Sequence, residues 1–200
     1  VEEVLADEGR IDLLFNNAGV GLAGELTGLS LEDWQRVIDV NLWGTIHGIR
    51  AVYPTMVAQR AGVIVNTASG AGLCPRPGMV AYAAAKHAVV GLSTSLRAEA
   101  AEYGVQVHAV CPGYVQTDIM RTTVFRGVDG ETLQASIPLR PVTADDCARI
   151  ALAGVAANRG IIPVSKTTTL EWWLWRWAPA AVERVAAARA RAFRKHARPL

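Results

Sequence analysis

No apolar run in the chain approaches the roughly 20 residues that a membrane-spanning helix needs, and no secretory leader is recognisable. Cysteine is scarce. The three present, Cys74, Cys111 and Cys147, are an odd number without metal-ligand spacing. That argues against a disulfide framework or a metal site and for a reduced, cytoplasmic chain. Charge is sparse as well, at 19% of residues, which argues against disorder. There is no methionine at the first position either. The chain opens inside an amphipathic stretch, Val1-Glu2-Glu3-Val4-Leu5-Ala6, whose apolar positions have helical spacing. A chain that starts in the middle of a domain is expected. What is present in quantity is apolar side chain: 51% of 200 residues, enough for the core of one ordinary domain.

The net charge of +2 hides an asymmetry. Residues 172–200 hold seven Lys/Arg and one Glu, whereas residues 1–171 hold thirteen and seventeen. The body is mildly acidic and the tail strongly basic.

Residues 69–86 are the stretch on which the chain is organised. Tyr82 and Lys86 are four apart, among residues that favour helix (Ala83, Ala84, Ala85, Ala88, Leu92). Positions four apart share a helix face, so a phenol and an ammonium sit side by side. Free tyrosine titrates near pH ~10, and a neighbouring cation lowers that value. Such a tyrosine can pass a proton to or from a hydroxyl or carbonyl oxygen. Ser69 precedes Tyr82 by thirteen residues and follows an apolar run, Gly62-Val63-Ile64-Val65-Asn66-Thr67-Ala68, that reads as a buried strand. A serine there can bond the same substrate oxygen.

Alone, Tyr-x-x-x-Lys is a weak signal. With Ser69 at this spacing, the sequence resembles the short-chain dehydrogenase/reductase family. There the serine, tyrosine and lysine are the catalytic set of a nicotinamide-dependent oxidoreductase. Three further segments carry the resemblance. Ile11-Asp12-Leu13-Leu14-Phe15 reads as a buried parallel strand, and the Asn16-Asn17-Ala18-Gly19 that follows matches the family signature bordering the cofactor. Val40-Asn41-Leu42-Trp43-Gly44 resembles the segment whose asparagine holds a proton-relay water. It falls within one long helical period over residues 31–59, headed by Ser30 as N-cap. Cys111-Pro112-Gly113-Tyr114-Val115-Gln116-Thr117 follows a third apolar strand, and the resemblance places this turn over the nicotinamide.

The resemblance implies roles residue by residue. Tyr82 is the acid/base. Lys86 lowers its pKa and binds the nicotinamide ribose. Ser69 polarises the substrate oxygen, and Asn41 orders the relay water. Asn17, Ala18, Gly19, Pro112, Gly113, Val115 and Thr117, with Tyr82 and Lys86, border NAD or NADP. His47 has no identifiable partner and is expected to be packed or exposed. The implied activity is interconversion of a secondary alcohol and a ketone. The substrate loop, residues 118–142, has no sustained period and offers Ile119, Met120, Val124 and Phe125 to an apolar substrate. An imine substrate is an alternative. So is a relative without activity that binds a membrane or a partner, against which the intact Ser69, Tyr82 and Lys86 argue.

The fold class follows from alternating strands and helices: α/β, with a doubly wound, Rossmann-like parallel sheet. The family's first strands and glycine turn have no counterpart here. Gly19-Val20-Gly21-Leu22-Ala23-Gly24 spells G-x-G-x-x-G but follows the wrong strand and opens no helix. Residues 1–165 therefore read as the C-terminal portion of a dehydrogenase domain, with weak cofactor binding expected from them alone. Thr143 should cap a helix to about Asn158, and Gly160-Ile161-Ile162-Pro163-Val164 should form an edge strand.

Residues 166–200 read as a helical extension. Leu170-Glu171-Trp172-Trp173-Leu174-Trp175-Arg176-Trp177 holds four of the six tryptophans, and Pro179 suits the first turn of a final helix. On that helix Arg184, Arg191, Lys195 and Arg198 fall on one side, opposite Val182, Val185, Ala186 and Phe193, with Arg189 among the latter. One reading is a helix packed on the body. Another is an interfacial helix on an anionic membrane surface, anchored by tryptophan. Nucleic-acid binding is a third, for which no recognised module is present. The Val-Asp-Gly-Gly-like ending that joins subunits in many family members is lacking, which points away from the usual tetramer and keeps a homodimer as an alternative.

Overall fold

The computed structural model of the chain describes residues 1–135 and 140–196. Pro138 of the substrate loop and Arg198 of the basic face lie outside these residues. In chain order the elements are α1 (Glu2–Glu8), β1 (Leu13–Asn16), β2 (Leu22–Ala23), α2 (Leu31–Ile38), α3 (Gly44–Gln59), β3 (Gly62–Thr67), α4 (Val80–Ala100), β4 (Val105–Cys111) and β5 (Val115–Gln116). They continue with α5 (Ile119–Thr122), β6 (Val124–Phe125), α6 (Gly130–Ala135), β7 (Val142–Thr143), α7 (Ala144–Ala156), β8 (Ile161–Pro163), α8 (Lys166–Trp177) and α9 (Pro179–Arg194).

The main sheet is parallel throughout, in the order β1-β3-β4-β8. Its two inner strands are covered on both faces, which is why they read as unbroken apolar runs. Ile64 and Val107 point into a cluster with Ile49, Val52 and Met56 of α3 and Leu96 of α4. Val65, Val110 and Ile162 point the other way, onto Ile150 and Val155 of α7. Side chains alternate across a strand, so helices on both faces are required.

β1 differs from its expected form. It is an edge strand, and only its α3 side is covered: Leu14 packs inward, while Leu13 and Phe15 are 56% and 47% exposed.

The long helix expected over residues 31–59 is interrupted. Ser30 and Asp33 form a reciprocal N-terminal cap on α2. Residues Asp39–Trp43 then form a wider turn, in which the Gly44 N–H bonds the Asp39 carbonyl, before α3 resumes. A wide turn of this kind inserts a residue into the helix and re-aims its neighbours. Here it turns Asn41 fully inward.

The stretch expected as loops contains two small parallel ribbons. β2 pairs with β6, and β5 with β7. Each joins segments far apart in sequence. Gly24 also bridges Met79 and leads into no α-helix, so the G-x-G-x-x-G run is not a phosphate turn.

α4 is closed by a short turn at Ala101–Tyr103 and by left-handed Gly104 at φ 69°. The Thr143 hydroxyl accepts the Asp146 N–H at the head of α7. Pro163 lies in the edge strand β8.

The loop between β3 and α4 is held against α4 by a backbone approach. A Cβ on Gly72 would stand 2.5 Å from the Lys86 carbonyl oxygen. Gly72→Ala is expected to cost about 1–3 kcal/mol of stability, as overpacking does. Denaturant melts of the protein and the variant measure it. An unchanged midpoint would show that the loop is free to retreat.

Candidate active site

The site gathers at the carboxyl ends of β1, β3 and β4. α4 supplies two of its side chains from one buried face, Tyr82 and Lys86. The spacing of four places the ammonium 5.8 Å from the centre of the Tyr82 ring. Lys86 is only 3% exposed, and its Nζ donates to the Thr67 carbonyl at 2.8 Å. Burial lowers its pKa from 10.5 to about 8.

Burial also dominates at Tyr82, but there it raises the pKa, since phenolate is the charged form. A hydrogen bond with Ser69 draws it partly back. The net direction at Tyr82 is therefore opposite to the lowering expected from Lys86 alone. The phenol is held in its protonated form.

Ser69 sits at the turn out of β3. Its Oγ accepts the Ala71 N–H at 3.1 Å and lies 3.5 Å from the Pro112 carbonyl. The same carbonyl accepts the Gly70 N–H at 2.7 Å. The turn after β3 is thus pinned to the turn after β4, and Pro112 enters the site through its backbone.

Asn41 uses its amide on one neighbour. Oδ1 accepts the Val20 N–H and Nδ2 donates to the Val20 carbonyl, both at 2.9 Å. This clamp brings the Asn-Asn-Ala-Gly turn onto the site. A Cβ on Gly19 would lie 3.0 Å from Asn41 Oδ1 and 3.6 Å from Lys86 Nζ. Any side chain there would fill the space beside the ammonium. Asn17 is exposed and accepts the Thr67 hydroxyl at 2.9 Å, and Ala18 is exposed next to it. Gly113 is exposed, Val115 pairs with Val142 in the β5–β7 ribbon, and Thr117 accepts the Ile119 N–H at 3.4 Å.

Three features were missed from sequence. Asn16 donates to Asn66, which donates to Ser93 of α4, at 2.8 and 2.9 Å. This polar chain ties β1, β3 and α4 together beneath the site. The head of α8 forms one wall: a Cβ on Gly113 would meet Thr168 Oγ1 at 2.6 Å, and one on Gly70 would meet Thr168 Cγ2 at 3.1 Å. α9 reaches the same loop, where a Cβ on Gly78 would meet the Phe193 ring at 2.5 Å. Only the Ser165 cap was a local signal for any of these.

The cysteines are free. Burial pushes the Cys74 thiol up to about 11 and the Cys111 thiol up to about 12, so both stay protonated at neutral pH. His47 is exposed and stacks on Trp43.

Comparison with known proteins agrees with this architecture. Residues 1–125 match the model of the short chain dehydrogenase family. The D-beta-hydroxybutyrate dehydrogenase of Rhizobium meliloti is 36% identical over 155 residues, covering 72% of this chain and 60% of its own length. The CLA biosynthesis dehydrogenase/reductase of Lactiplantibacillus plantarum is 40% identical over 129 residues, covering 63% of this chain and 45% of its own length. The chain thus spans about half the length of such relatives. A short-chain dehydrogenase/reductase of Burkholderia phymatum, solved in complex with NAD, superposes with a TM-score of 0.80 at 32% identity. The superposition covers 90% of this chain and 70% of that one. One from Sphingobium yanoikuyae, in complex with NADPH, gives 0.73 at 28% identity, covering 92% and 68%. With its parallel sheet and this family match, the chain belongs to the short-chain dehydrogenase/reductase family.

Proposed function

We propose that the protein of which this chain is part is an NAD(P)-dependent oxidoreductase that interconverts a secondary alcohol and a ketone. The observation that carries the reading is the buried pair on α4, the Lys86 ammonium beside the Tyr82 ring, with Ser69 drawing the raised Tyr82 pKa partly back.

The residues fit a nicotinamide riboside. Lys86 has three donors, and Thr67 takes one. The others suit ribose hydroxyls, and Gly19 leaves the space beside them clear. A bound nicotinamide would supply the hydride in reduction and take it up in oxidation.

The chain's own residues handle the oxygen. In reduction Tyr82 gives its phenolic proton to the substrate oxygen as hydride reaches the carbon, and in oxidation it takes that proton back. Ser69 donates a hydrogen bond to the same oxygen. Lys86 stabilises the phenolate left by proton transfer. Asn41 keeps Gly19 and Val20 in place, and a water ordered beside it would return the proton to solvent.

Val124 of the substrate loop packs in the same apolar cluster as Tyr82, which supports an apolar substrate. The names of the relatives, a hydroxybutyrate dehydrogenase and a 3-oxoacyl-[acyl-carrier-protein] reductase of Thermotoga maritima, point to the same reaction type.

The test uses the full-length protein with NADH and NADPH against a panel of apolar ketones, including 3-oxoacyl thioesters. Tyr82→Phe removes one hydroxyl. Turnover should fall by about 10²–10⁴-fold, with nicotinamide binding kept within a few-fold. Substantial remaining turnover would remove Tyr82 from its role.

Lys86 yields a separate expectation in pH. Below about 8 the ammonium is charged in the folded and unfolded chains alike, and its burial cost is fully felt. Between about 8 and 10.5 the folded protein has shed this proton while the unfolded chain still holds it. Stability from this group therefore rises with pH across that window. Lys86→Met should be favoured most below pH 8, and its advantage over the parent should shrink towards pH 10.5. Urea melts across that range measure the difference. A constant difference would show that Lys86 is not charged and buried together.

A further inference from the structure

The C-terminal helices bury one face each, and the faces they leave outward do not match. On α8, Trp172 and Trp175 pack on the cluster holding Leu73 and Cys74. Glu171 is held between Arg76 and Arg189. The opposite face carries Leu170, Trp173, Leu174 and Trp177, which are 60%, 52%, 45% and 77% exposed. Their spacing of three and four makes one continuous stripe. Trp173 and Trp177 stack on each other, with ring planes 6° apart. Two stacked indoles and two leucines in water are a costly surface for a chain to present.

α9 folds back on α8 after one connecting residue, Ala178, and the Arg189–Glu171 pair at 2.7 Å fixes the return. Its buried side is set by Phe193, with Val182 and Ala186 half-buried. Its outward side carries Arg184, Arg191 and Lys195, one row at helical spacing. None of these three makes an ion pair among the described residues, whereas Arg189 and Arg194 are paired with Glu171 and Glu25. Because both helices turn their buried sides to the body, an indole-leucine ridge and a row of unpaired cations lie on one outward surface. Arg176 lies over the Trp172 ring, 5.7 Å from its centre.

We propose that this α8–α9 surface docks the protein on an anionic lipid bilayer, with Trp173 and Trp177 in the headgroup region. Indole suits that region, where the ring is sheltered and its N–H stays wet. The basic row faces anionic headgroups. Among the described residues no helix is long and apolar enough to cross a membrane, and the proposed contact is one of side chains with the bilayer surface. A second copy of the chain fits this surface less well. It would bring Glu183 as the one carboxylate of α9, against three unpaired cations.

Co-sedimentation of the full-length protein with vesicles tests this. The probes are phosphatidylglycerol/phosphatidylcholine vesicles and pure phosphatidylcholine vesicles, at low and high salt. Binding is expected to the anionic vesicles, with a blue shift of tryptophan emission, and to weaken sharply with salt. Arg184→Gln, Arg191→Gln and Lys195→Gln together should weaken it roughly a hundred-fold, at about five-fold per charge. Trp173→Ser with Trp177→Ser should abolish the blue shift on vesicle addition. All five substitutions are at exposed positions, and circular dichroism checks that the variants remain folded. No binding to anionic vesicles at low salt overturns the proposal. So does equal binding to neutral vesicles. A dimer that the tryptophan substitutions dissociate, without vesicle binding, overturns it in favour of self-association.

Discussion

The hydrogen bond from Lys86 to the Thr67 carbonyl is the interaction on which the site depends. It ties α4 to the end of the central strand β3 at 2.8 Å, in a place almost closed to water. A buried ammonium is costly unless its donors are met. The chain provides one acceptor from its backbone, the Thr67 carbonyl. The lowered pKa of Lys86 and the raised pKa of Tyr82 share one cause, the withdrawal of both groups from water. Lysine and tyrosine respond in opposite directions because the charged form is the protonated one in the first and the deprotonated one in the second.

Backbone approaches, rather than side-chain contacts, set the distances around this pair. Gly72 lies against the Lys86 carbonyl, Gly19 against the Asn41 amide and near the Lys86 ammonium, and Gly113 against Thr168. Each holds a turn so close that a Cβ would displace it or its neighbour. The asparagines play the complementary part. Asn41 clamps one turn, and Asn66 links β1 to α4 through Asn16 and Ser93. The site is therefore a set of loop ends locked to one another across the carboxyl edge of a parallel sheet, the place where such sheets bind ligands.

The extension from residue 166 onward is integral to this arrangement. The head of α8 stands against Gly70 and Gly113, and Phe193 of α9 closes over Gly78, a few residues before Tyr82. The residues it does not spend on packing, the Trp173–Trp177 stack and the basic row, are those that carry the proposed attachment to lipid.

The sequence by itself determined the alternation of strand and helix, the parallel sheet and the shared helix face of Tyr82 and Lys86. These rest on local rules: unbroken apolar runs for strands covered on both faces, a four-residue spacing for a shared helix face, and caps at Ser30 and Thr143. Only the tertiary structure decided what depends on distant partners. The β2–β6 and β5–β7 ribbons join segments whose own patterns are too short to declare a strand. The wide turn at Asp39–Trp43 has no breaker residue to announce it and is accompanied by the bond between Asn41 and Val20, twenty-one residues away. The direction of the Tyr82 shift was likewise not legible, because spacing reports a neighbour's charge but not how far both groups are buried.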